Sequence, residues 1–112
     1  MQPRDDFTVE VHRQPGAAVV APSGEIDVAT VDEVRDHLRS CEQDAGVVVL
    51  DLRAVDFMDT SGLQLVFETQ RRASQAGFEF VVVRGSRQLQ RLFEIAGFGE
   101  RLRLVDDPAE AA

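Results

Sequence analysis

Lysine, tyrosine and tryptophan are absent from this chain, and cysteine occurs once. All twelve basic residues are arginine. That removes a P-loop lysine, a Schiff-base lysine and the lysine that assists a phosphoacceptor aspartate. Without tyrosine or tryptophan, any stacking of nucleic-acid bases would fall to phenylalanine alone. The lone Cys41 has no partner for an internal disulfide, and cysteine spacing of the metal-binding kind is missing, so neither metal nor cofactor is expected. No apolar run approaches the ~20 residues that span a bilayer. The opening "MQPRDDFTVE" lacks a basic flank followed by an apolar segment, so no signal peptide is expected. A cytoplasmic protein with no membrane contact is the simplest reading. Cations are also outnumbered, giving a net charge of -8. That balance disfavours a nucleic-acid partner, whose phosphates need clustered cations. It favours a partner with a basic, arginine-lined face.

What is present suffices for one folded domain. The 112 residues are 44% hydrophobic and 29% charged, a soluble globular balance with one core. "FTVEVHR" (7–13) alternates as a half-buried strand, "QPG" (14–16) is turn chemistry, and "AAVVAPSG" (17–24) is a second strand, together a hairpin. Val31, Val34, Leu38 and Cys41 recur at helical spacing, with Thr30 and Glu33 in capping-box positions. "VVVLDL" (47–52) is an aliphatic run of the kind covered on both faces in parallel sheets. A helix follows, with Leu63, Val66, Phe67, Gln70 and Ala73 roughly on one face and Gly77 to end it. Then come a strand "FEFVVV" (78–83), a helix capped by Ser86 and ended by Gly97, and a short strand "RLRLV" (101–105). The order β, β, α, β, α, β, α, β predicts an α/β domain over residues 1–106. Its sheet is mixed but mostly parallel, with about five strands and three to four helices: an N-terminal hairpin, then repeated β-α units. Residues 107–112 read as a flexible tail. Function in such sheets collects at loops leaving the carboxyl ends of strands. Three loops qualify, "GEIDVAT" (24–30), "RAVDFMDTSG" (53–62) and "RGSRQ" (84–88).

The segment "DFMDTSGLQL" (56–65) holds the densest chemistry. Asp59, Thr60 and Ser61 can each cap a helix, and Gly62 permits close approach. Capping explains one of these oxygen-bearing side chains, not three in a row. Backbone N–H groups at a helix start also tolerate an added phosphate. Asp56 and Asp59 would oppose one, as would Glu25 and Asp27 if their loop shares that end of the sheet. A hydroxyl that accepts phosphate among carboxylates suits a switch better than a ligand cradle.

These residues carry a resemblance. "GEIDVAT" resembles the Gly-acid-aliphatic-Asp loop of the STAS-domain anti-sigma factor antagonists. "VVVLDLRAVDFMDTSGL" resembles that family's central signature, and "RLFEIAGF" its third helix. The likeness spans residues 7 to 105 in order, with Thr60 replacing the commoner serine. It implies phosphorylation at Ser61, the hydroxyl before the glycine, and no enzymatic turnover. It also implies a partner-binding surface that includes Glu25, Asp27, Asp59, Thr60, Gly62 and Leu63. The implied partners are an anti-sigma factor serine kinase of the ATPase-like histidine-kinase type and a PP2C-type phosphatase. In that scheme the unmodified protein binds the kinase and frees a sigma factor, and the phosphorylated protein is released.

Other readings fit parts of the chain. A receiver-like or phosphatase enzyme would use Asp51 or Asp59 as acceptor, against which the missing lysine counts. A STAS module with a scaffolding role in a sensor complex would keep the fold without direct sigma control. His12, in a strand, and His37, mid-helix, are poorly placed to serve Ser61 as a base, and no G-x-S-x-G elbow exposes that serine.

Overall fold

A computed structural model of the chain describes residues 6–98 and 101–111. Strand β1 (Thr8–Gln14) turns through Pro15 and Gly16 into β2 (Ala17–Ile26), and the two pair antiparallel from Thr8↔Ser23 to Gln14↔Ala17. Gly16 takes a φ of 80°, the left-handed conformation that such a turn needs. Helix α1 (Val31–Glu42), β3 (Val47–Asp51), β4 (Val55–Met58), α2 (Thr60–Ala76), β5 (Glu79–Val83), α3 (Arg87–Ala96) and β6 (Arg103–Val105) follow. The sheet order is β1-β2-β3-β5-β6, with β4 attached to β2, and every pairing except β1 with β2 is parallel. The predicted mixed α/β sheet is therefore present, with one strand more than its pattern of eight elements.

That extra strand determines where the site lies. At ten residues, β2 is long enough to fork. Its first half, Ala17–Val20, pairs with Val47–Leu50 of β3, and its last residues, Gly24–Ile26, pair with β4. The register shifts between Gly24 and Glu25, as at a β-bulge that lets one strand serve two neighbours. Gly24 has a φ of 113° and donates its N–H to the Ala54 carbonyl at 3.1 Å. The sequence left Val55–Met58 in a loop because four residues with buried ends and an exposed Asp-Phe centre show neither alternation nor a continuous apolar run.

The three helices cover one face. Val34, Leu38 and Cys41 of α1, Leu65 and Val66 of α2, and Leu89 and Phe93 of α3 share a core with Val20, Val48, Leu50, Phe80 and Val82. Burial pushes the Cys41 thiol pKa up, Arg13 pulls it down, and Asp44 and Glu42 add to the rise. Two arginines join α1 to α2. Arg72 grips the Glu42 carboxylate with two bonds of 2.8 Å, and Arg35 donates to Glu68 at 3.1 Å. The C-caps agree with the sequence: Gly77 and Gly97 have φ of 85° and 80°. So does the N-cap of α3, where Ser86 Oγ accepts the Leu89 N–H at 3.3 Å.

Two expectations are corrected. The Thr30–Glu33 capping box does not form, since Thr30 offers no side-chain bond to the helix. Its hydroxyl instead donates to the Glu25 carbonyl at 2.7 Å and accepts the Asp27 N–H at 3.0 Å, holding the loop that precedes α1. The loose tail expected from residue 107 is instead a 3-10 turn, Pro108–Ala111. Its Ala111 is buried with Val49, Val81, Val83 and Val105 on the sheet face away from the helices. The Glu110 carboxylate accepts the Asp106 N–H at 2.9 Å, and Arg103 donates to the Glu110 carbonyl at 2.8 Å. Deleting residues 107–112 should uncover those valines and lower stability by about 2 kcal/mol, since each fully buried valine is worth about 1.5 kcal/mol or more. Urea unfolding checks this; an unchanged midpoint would return the segment to the status of a tail.

Candidate functional site

The site begins where β2 and β4 end together. Parallel pairing sets Glu25 opposite Phe57 and Ile26 opposite Met58. One further bond, Asp59 N–H to the Ile26 carbonyl at 3.2 Å, ties the start of α2 to the start of the "GEIDVAT" loop. Ile26 and Met58 are buried, whereas Glu25 and Phe57 are exposed. The two acidic loops that the sequence singled out are therefore neighbours.

Asp59 is the N-cap of α2, and its carboxylate accepts the Ser61 N–H at 2.8 Å. Thr60 and Ser61 are the first two residues of the helix, Thr60 exposed and Ser61 half-buried. Among the described residues nothing hydrogen-bonds the Ser61 hydroxyl, so Oγ is uncommitted beside a helix terminus. Gly62 is buried, and a Cβ built there would lie 2.1 Å from Met58 Cγ and 3.2 Å from Ile26 Cγ2. Glycine thus lets the first turn of α2 sit directly on β4. Leu63 is half-buried and packs against the main core. Asp27 shapes its own loop, with a carboxylate that accepts the Ala29 N–H at 2.9 Å. Ser61, Thr60, Asp59, Glu25 and Asp27 therefore gather at one end of the sheet, with Gly62 and Leu63 serving mainly to seat the helix.

Two apolar residues at this end were not singled out from the sequence. Val28, at the tip of the β2–α1 loop, is 78% exposed, and Phe57 is 51% exposed. A single apolar letter in a loop carries no mark of exposure, so only the fold reveals them. The other candidates lie elsewhere or are occupied. Asp51 is buried, and both of its oxygens are held by Arg53, with Oδ2 2.9 Å from Nη2. The Asp51 bond is the main cause that raises the Arg53 pKa. His12 pairs with Glu10 at 3.3 Å and faces Val19, seven residues before Ile26, roughly 23 Å away along an extended strand. His37 is half-buried in the middle of α1. Among the described residues no group of His, Cys, Asp and Glu could hold a metal, and no helix is long and apolar enough to cross a membrane.

The Gly62 contact gives a test of how α2 is seated. Ala is favoured over Gly inside a helix by about 1 kcal/mol. The buried Met58 side chain must move to admit a methyl group, and overpacking of this kind costs about 1–3 kcal/mol. Gly62→Ala should therefore be destabilising in urea, yet neutral or stabilising in a Met58→Ala background. Equal effects in both backgrounds would mean that Met58 does not set the requirement.

The chain as a whole is similar to known proteins. The STAS domain family model matches residues 8–111. An anti-sigma F factor antagonist of Paenibacillus polymyxa is 29% identical over 112 residues, covering 95% of this chain and 92% of that protein. The anti-sigma-F factor antagonist RsfB of Mycobacterium tuberculosis is 31% identical over 105 residues, covering 93% and 85%. An anti-sigma factor antagonist from Mycobacterium paratuberculosis superposes with a TM-score of 0.83 at 24% identity, over 99% of this chain and 95% of that one. The Bacillus cell fate determinant SpoIIAA, solved in its phosphorylated form, superposes at 0.71 with 20% identity, over 94% and 95%. A family model that spans nearly the whole described chain, and a relative 31% identical over 93% of it, show that the chain belongs to the STAS-domain family of anti-sigma factor antagonists.

Proposed function

We propose that the chain is a phosphorylation-controlled antagonist of an anti-sigma factor. Unmodified, it binds an anti-sigma factor that is also a serine kinase of the ATPase-like histidine-kinase type, and so frees a sigma factor. The kinase transfers the γ-phosphoryl group of ATP to Ser61 Oγ, the hydroxyl proton leaves, ADP departs, and the complex dissociates. A PP2C-type phosphatase hydrolyses the phosphate and restores binding. The protein is substrate and ligand and catalyses nothing itself.

The observation that carries this reading is the uncommitted Ser61 hydroxyl at a helix start, beside the Asp59 carboxylate and at the same end of the sheet as Glu25, among the last residues paired between β2 and β4. Unmodified, such a hydroxyl needs only one hydrogen bond to be buried in a complex. Val28 and Phe57 add apolar area, and Glu25, Asp27 and Asp59 add charge that suits an arginine-rich partner face. Phosphate adds about -1.5 to -2 charges beside Asp59. The helix terminus returns about 0.3–1 kcal/mol of that cost. Release by a factor of a hundred needs about 2.7 kcal/mol, within reach of an unpaired charge pressed into an interface.

Incubation with ATP and the cognate kinase should add one phosphate, and peptide mapping should locate it on Ser61. Ser61→Ala should accept none while still binding the kinase. Phosphate on Thr60 or on an aspartate would overturn the assignment.

A further inference from the structure

Only some of the cations in this acidic protein are paired with carboxylates. Among the described residues Arg13, Arg35, Arg53, Arg72, Arg84 and Arg103 form ion pairs with carboxylates. Among the described residues Arg39 on α1 forms none, and neither do Arg71, Arg87, Arg91 and Arg101. These last four lie on the C-terminal half of α2, on α3 and just beyond it. Between α2 and the end of α3 runs a groove of about 560 Å³. Phe67, 48% exposed, and Phe98 line it, Arg71 and Arg101 flank it, and Gln70 and Ser74 supply polar atoms. Its centre lies about ten residues along α2 from Ser61, roughly 15 Å along the helix axis. A ligand there leaves the phosphorylation loop free.

We infer that this α2–α3 groove is a second docking surface, which takes an acidic peptide segment of a partner protein with an apolar side chain inserted between Arg71 and Arg101. The charge argument is local: two exposed guanidinium groups without carboxylate partners flank an apolar floor, in a chain with a net charge of -8. The floor argues for an inserted side chain rather than a stacked base. The Phe67 and Phe98 rings are tilted by 57° at 6.3 Å, so they offer no parallel pair of faces, and the Arg71 guanidinium already lies 5.6 Å above Phe67. A bare phosphate would leave the aromatic floor uncovered. This inference does not depend on the switch at Ser61.

Subtractive selection tests it. A phage library of random dodecapeptides is selected on the wild-type chain and depleted on an Arg71→Ser/Arg101→Ser double variant. Both side chains are exposed, so the variant should keep its fold, checked by circular dichroism. The surviving peptides should be acidic with one or two large apolar residues. A synthetic one should shift amide resonances of residues 67–75 and 96–98 while leaving 59–61 unmoved, and should lose at least tenfold in affinity to the double variant. Ser61→Glu should bind it as tightly as wild type does, which separates this surface from the switch. Three results would overturn the inference: no peptide that distinguishes the two proteins, survivors that are basic or neutral, or arginine-dependent binding of ATP or of phosphatidylglycerol vesicles instead of the peptide.

Discussion

The hydrogen bond from Asp59 N–H to the Ile26 carbonyl joins two parts of the chain that are more than thirty residues apart and makes them one surface. Everything at the candidate site depends on it and on the strand pairing it continues. A β2 that ended at β3 would leave the "GEIDVAT" loop and the start of α2 at different heights on the sheet. The register shift after Gly24 accompanies the strand's continuation to β4, and Ile26 and Met58 then bury side by side. Gly62 completes the seat, because a methyl group there would collide with the same methionine. The helix terminus that carries Ser61 is thus fixed by core packing, although the serine itself stays half-exposed.

That arrangement lets one residue type serve two ends. Asp59 caps α2 through the Ser61 N–H and also puts a negative charge next to the Ser61 hydroxyl. Asp27 shapes its loop through the Ala29 N–H while contributing acidity to the same surface. Thr30, buried and bonded to the Glu25 carbonyl, holds that loop from within. In the proposed function, the carboxylates that build this local structure also supply recognition. Replacing either aspartate with an amide keeps an oxygen acceptor, whereas alanine would loosen the loop as well as remove the charge.

Much of this was legible in the sequence, for identifiable reasons. The alternation in β1, the 3.6-residue recurrence of Val31, Val34, Leu38 and Cys41, and the glycines at 77 and 97 are strong local signals, and the structure follows them. The run "VVVLDL" was legible as a strand covered on both faces, and Val49 and Leu50 do bury on opposite sides. Strand β4 was not legible, because four residues at a fork carry too little pattern. The capping box at Thr30 and Glu33 was legible but wrong, since a hydroxyl can serve only so many partners and this one is engaged by the loop. Val28 and Phe57 were invisible as surface residues, because exposure is a property of the fold. The buried turn at Ala111 was missed because its small, polar composition matches that of a solvated tail.

The central claim is that charge on Ser61 decides whether this surface can be buried against its kinase. Titration calorimetry of unmodified and stoichiometrically Ser61-phosphorylated protein against that kinase, at one salt concentration, measures this directly. The account predicts at least a hundredfold weaker binding for the phosphorylated form, equivalent to about 2.7 kcal/mol. Equal affinities for the two forms would contradict it and leave the chain as a STAS scaffold whose serine does not control assembly.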